Sequence, residues 1–105
     1  MSGRRDQYVG KLKTKLDEWN ADIDRLQEKA AQAAAAARKE YDEQIGGLRD
    51  RRGDLEEKLR ALAVTAGSAW EDMREGVDGA AEALGAAIRA AKARFGGSAG
   101  KSSGT

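Results

Sequence analysis

Val9, Leu12, Leu16, Trp19, Ile23, Leu26, Ala30, Ala33 and Ala37 recur at alternating steps of three and four. That spacing keeps a single apolar stripe along one side of an α-helix, as a helix needs in order to lay a continuous seam against another. Tyr41 and Ile45 follow at steps of four, a stutter that relaxes the left-handed supercoil locally. The stripe then resumes through Leu48, Arg52, Leu55, Leu59, Leu62 and Ala66. Arg52 is its one charged member, and its aliphatic stem is long enough to cover the seam while the guanidinium reaches water. The chain has no proline to stop such a helix. The expected element is therefore one long helix over residues 5–66.

Two sites compete to interrupt it. Gly46-Gly47 weakens a helix interior by roughly 2 kcal/mol relative to alanine, but no Ser, Thr, Asp or Asn stands just before Leu48 to cap a restart. A kink in a continuous helix is the favoured reading there. At Thr65-Ala66-Gly67-Ser68-Ala69-Trp70-Glu71, Gly67 is a candidate for the left-handed residue that closes a helix, and Ser68 with Glu71 forms a capping-box pattern. Acidic residues Glu71, Asp72, Glu75 and Asp78 follow, and Arg89, Lys92 and Arg94 come at the far end, both in the sense that a helix dipole favours. A second helix is expected over 68–95. Folding at Gly67-Ser68 brings Tyr41 to Phe95 and Leu62 to Met73, whereas folding at Gly46-Gly47 brings Ile23 to Trp70 and Trp19 to Met73. Both registers mesh.

Residues 30–37 are almost all alanine. The simpler reading is a strong helix with a thin core layer, and the sharper one is a place where a partner helix approaches closely. Leu, Ile, Val and Phe together fall below the roughly 20% at which disorder becomes a concern, but the net charge is only +1. Such a composition supports helices well and a thick core poorly.

With neither cysteine nor histidine, disulfides, zinc fingers, iron–sulfur clusters and thiol nucleophiles are excluded, and general-base chemistry lacks its usual residue. Di-metal sites in bundles use Glu-x-x-His pairs, which this chain cannot supply. No cofactor is expected. Gly100-Lys101-Ser102 has the ending of a phosphate-binding loop, but Phe95 stands where the first glycine belongs and no strand precedes it. Arg4, Arg5, Lys11, Lys13 and Lys15 make a basic stretch, too modest and too poor in aromatics to favour nucleic acid over a solvated helix end. Polar sequence follows Met1 directly, without the apolar core of a signal peptide, and no run approaches a membrane span. The expected setting is cytoplasmic.

In the second helix Trp70, Met73, Val77, Ala81, Leu84, Ile88, Ala91 and Phe95 share a narrow arc. The favoured reading is a hairpin or oligomer seam. The alternative is a membrane-surface face anchored by its terminal aromatics, which the acidic first half opposes.

Two stretches, Tyr8-Val9-Gly10-Lys11-Leu12-Lys13-Thr14-Lys15-Leu16-Asp17-Glu18-Trp19-Asn20-Ala21-Asp22-Ile23 and Ser68-Ala69-Trp70-Glu71-Asp72-Met73-Arg74-Glu75-Gly76-Val77, resemble small bacterial coiled-coil proteins of unknown function. The likeness extends to about Phe95 and implies a long helix followed by a shorter one, with no catalytic residues to carry over.

These readings converge on an all-α chain: residues 1–4 as a disordered N-terminus, a long coiled-coil helix over 5–66 with a possible kink at 46–47, a shorter antiparallel helix over 68–95, and a disordered tail over 96–105. At ~1.5 Å per residue the longer helix spans roughly 90 Å and the shorter roughly 40 Å, which leaves Val9 to Ala37 bare in a monomer. The expectation is thus a homo-oligomer, most simply a dimer, or a complex with a helical partner, with no small-molecule substrate. Val9, Leu12, Leu16, Trp19, Ile23 and Leu26 would form the seam between molecules. Trp70, Met73, Val77, Leu84, Ile88 and Phe95 would form the contact within the hairpin. The function expected is that of a non-enzymatic structural or interaction protein; the alternative is an amphipathic stress-protective or membrane-surface protein that orders on lipid or on drying.

Overall fold

The apolar stripe does not run along one rod. In the structure, a computed structural model that describes residues 3–96, it folds back on itself inside the alanine run. Helix α1 spans Gly3–Gln32, α2 spans Ala35–Ala63 and α3 spans Trp70–Ala91, followed by a π-helical turn over Lys92–Gly96. The described residues are all helical apart from the connections. The long axis measures 53 Å, close to the ~45 Å of a 30-residue helix and far from the roughly 90 Å of the expected rod.

Helix α2 returns beside α1. Arg5 reaches the Thr65 carbonyl at one end, and further along Arg52 Nη1 donates to Asn20 Oδ1 at 3.0 Å. Helix α3 then runs in the direction of α1: Tyr8 faces Trp70 with ring centroids 6.1 Å apart, and Asp22 faces Lys92 at 3.5 Å. Against α2 it runs the opposite way. The Thr65 hydroxyl lies 3.0 Å from the Met73 sulfur, and Tyr41 stacks on Phe95 at 4.0 Å at the other end.

The break at Ala33-Ala34 corrects the continuous helix expected over 5–66. Ala34 is extended (φ −64°, ψ 156°), its carbonyl accepts from the amides of Ala37 and Arg38, and no side chain caps α2. Alanine is the best helix former, so nothing in these residues asks for a turn. The turn is imposed from a distance. Folding back buries Val9, Leu12, Leu16, Ile23 and Leu26, each stabilising by roughly 1.5–3 kcal/mol. A helix end forgoes about four internal hydrogen bonds, each of net value about 0.5–1.5 kcal/mol. Burial wins. Arg38 lowers the cost further: its Nη2 donates to the Ala31 carbonyl at 2.9 Å and its Nε to that of Ala30 at 3.2 Å, which also accepts from the Ala33 amide, so the carbonyls at the end of α1 are bonded across the turn.

Other local expectations resolve as follows. Gly46-Gly47 lies within α2, which continues through it. Gly67 is left-handed (φ +65°) as the turn pattern suggested, but it stands three residues past the C-cap Val64 rather than next to the helix. The capping box does not form. Ala69, not Ser68, is the N-cap of α3, without a side-chain bond, and Ser68 contributes only its carbonyl, which accepts from the Glu71 amide. Helix α1 begins at Gly3, inside the segment expected to be disordered. Of the expected tail 96–105, Gly96 ends the π-helical turn and 97–105 lies outside the described residues.

Candidate functional site

The residues expected to dock a second molecule are covered by their own chain. Val9, Leu12, Leu16, Ile23 and Leu26 are buried, packed in one cluster with Ile45, Leu48, Leu55, Leu59 and Leu62 of α2 and Val77, Leu84 and Ile88 of α3. The physical reason is the turn at Ala33-Ala34: once α1 and α2 lie side by side, each supplies the cover that another molecule was expected to give. Trp19 is the exception among the seam residues. It is half-buried, its indole pressed on buried Gly85, where an added Cβ would sit 3.1 Å from the ring, and Lys15 Nζ lies 6.0 Å from the ring centroid.

The α3 face turns inward as well. Trp70, Val77, Leu84 and Ile88 are buried, while Met73 and Phe95 are half-buried against the same core. The aromatics at its two ends, read as potential membrane anchors, face Tyr8 and Tyr41 instead. Among the described residues the one exposed large hydrophobic is Val64, at 78%.

The polar groups drawn toward the interior each join two helices. The Tyr8 hydroxyl donates to Asp78, and Arg74 lies 5.7 Å above the Tyr8 ring and 3.8 Å from Asp78. Burial, and then this bond to Asp78, push the Tyr8 phenol well above its ordinary value near 10. It therefore holds its proton at neutral pH and serves as a donor rather than as a base. Asp22, only 14% exposed, sits between Arg25 of its own helix at 3.3 Å and Lys92 beyond α3 at 3.5 Å. Arg52, the charged member of the stripe, is held at Asn20, and Glu40 of α2 pairs with Arg94. On the outer surface, Asp54 and Lys58 pair at 2.6 Å, one turn apart on α2.

Sequence reasoning missed Arg38 and Asp22. Arg38 bonds eight and seven residues back across a turn that the local sequence does not announce. Asp22 follows Trp19 by three positions, close enough to the stripe to be drawn in, and that spacing was its only signal. Gly100-Lys101-Ser102 lies outside the described residues. No group of three or more His, Cys, Asp or Glu is placed to hold a metal ion among the described residues, and none of their helices is long and apolar enough to cross a membrane. No protein family, characterised protein or solved structure matches the chain.

Proposed function

We propose that this chain is a non-enzymatic helical interaction protein acting by helix–helix association, with further copies of itself or with a helical partner. The carrying observation is how its partly buried polar groups are used. Tyr8, Asp22 and Arg52 each bridge one helix to another, through Asp78, Lys92 and Asn20 respectively. Groups engaged in this way hold helices together and are not free to move protons on a substrate. The resemblance to small bacterial coiled-coil proteins points the same way. A cytoplasmic setting is part of this reading.

Circular dichroism and sedimentation velocity over a wide concentration range test it. The expected result is strong helicity in dilute buffer and a cooperative melt whose midpoint rises with concentration, or with an added helical partner. A coil spectrum that turns helical only with anionic vesicles overturns it in favour of the amphipathic membrane-surface alternative.

A further inference from the structure

Resting on that reading, we propose that the chain self-associates by exchanging α1: the Ala33-Ala34 turn straightens, α1 and α2 fuse into one rod, and α1 of each copy takes the place of its counterpart on α2 and α3 of the other. Three observations carry this.

The first is the turn itself. It is built from residues with no preference for turning, it has neither glycine nor proline, and Ala34 caps α2 without a side-chain bond. Among the described residues the only side chain hydrogen-bonded across the two helix ends there is that of Arg38, which is exposed. A straight helix through 33–34 is therefore locally cheap, and an exchanged element recovers in the dimer the contacts it gives up in the monomer.

The second is phase. Ala30, Ala33 and Ala37 continue the stripe through the turn without a skipped step, so a straightened rod presents both halves of the seam on one side. The third is register. Arg5 meets Thr65 and Asn20 meets Arg52, pairs centred near residues 35–36. Two antiparallel rods repeating those contacts between copies have their two-fold axis in the alanine run. The smallest side chains then stand where the two backbones pass side by side, as close helix packing requires.

The turn at the other end of α2 has no such freedom. Gly67 is held at φ +65° and Val64 and Thr65 are β-branched, so α2 and α3 remain a unit while α1 leaves.

Ala35→Pro separates the two states. In the closed form residue 35 opens α2, where a proline loses no hydrogen bond, and Ala34 already has the extended backbone that a following proline demands. In the rod the same proline sits mid-helix, which disfavours that state by on the order of a hundredfold per chain. Arg38→Ala acts in the opposite direction, removing two bonds specific to the closed turn and tightening dimerisation roughly tenfold.

The test refolds the full chain at high concentration and measures mass by sedimentation. Intrachain distance is read between spin labels at Gln7→Cys and Arg60→Cys, the labelled chain being diluted into unlabelled protein. These exposed positions lie at one end of the closed bundle and about 80 Å apart in the rod. The expected outcome is a dimer carrying the long distance, enriched by Arg38→Ala and abolished by Ala35→Pro in a chain that still melts as a helical bundle. Should Ala35→Pro fail to fold, the Ala33→Gly/Ala34→Gly double variant, which lowers helix propensity at the same place, is expected to weaken the dimer about tenfold or more. A dimer that keeps the short distance, or that survives these turn variants undiminished, overturns the exchange and leaves self-association standing. A strictly monomeric chain, wild type and Arg38→Ala alike, overturns the exchange and self-association together.

Discussion

The two turns that fold this chain obey opposite logic. Between α2 and α3 the chain uses residues suited to turning: Gly67 in the left-handed region, and Thr65, whose carbonyl receives Arg5 and whose hydroxyl approaches Met73. Between α1 and α2 it uses alanines, and the side chain drawn across the break, that of Arg38, comes from inside the next helix. One turn is written where it occurs. The other is a consequence of what lies on either side of it, because in a lone molecule five large aliphatics of α1 find cover only if the chain doubles back. A turn of the second kind defines the fold in a lone molecule yet exerts little local insistence on its own geometry.

The largest expected effect lies beside the second turn. Leu62, fully buried just before α2 ends, is expected to cost about 2–5 kcal/mol when truncated to alanine, measured by guanidinium unfolding. A small loss would show that this end of the bundle is loosely packed and narrow the contrast with the alanine end. Next, Gly67→Ala forces an L side chain into the left-handed region and is expected to cost about 1–2 kcal/mol in the same measurement. A neutral result would mean that the second turn is as permissive as the first. Third, Ala34→Asp gives α2 the side-chain cap that it lacks and an acid where its first turn has none. A gain of about 1 kcal/mol is expected. If unfolding shows no gain, the first turn is already fixed by something other than burial and Arg38.

The smallest effect is a dependence on pH. The Tyr8 phenol, beside the start of α3, titrates above its ordinary value because of burial and its bond to Asp78. In the unfolded chain it releases its proton near pH 10, and in the folded chain later. Its contribution to stability is thus intact below about pH 10 and is lost as pH rises through the folded value. Tyr8→Phe is expected to flatten the alkaline side of the stability profile, read from unfolding midpoints across pH. An unchanged slope would show that this clasp carries no weight.

What was legible in the sequence was the side of each helix that faces inward. Val9, Leu12, Leu16, Ile23 and Leu26 are buried as their spacing requires, and so are Trp70, Val77, Leu84 and Ile88. What covers them was not legible, because a regular repeat packs equally well against its own continuation and against another copy. The alanine break left no mark, since Ala30, Ala33 and Ala37 keep the rhythm straight across it. Gly46-Gly47 carried a mark with no consequence: the helix runs on, and an added Cβ at Gly46 would meet nothing within 4 Å. The groups that clasp the ends, Arg38 on the carbonyls of Ala30 and Ala31 and Tyr8 on Asp78, act between helices, and local spacing does not encode such pairs.

The two tryptophans stand on one border of the bundle. Trp19 of α1 leans on Gly85 of α3, and Trp70 of α3 leans on Tyr8 of α1. Indole fluorescence in this chain is therefore a gauge of a single interface. Its emission shifts when α1 separates from α3, even while total helicity stays constant, so the departure of the first helix can be timed optically without attaching a dye.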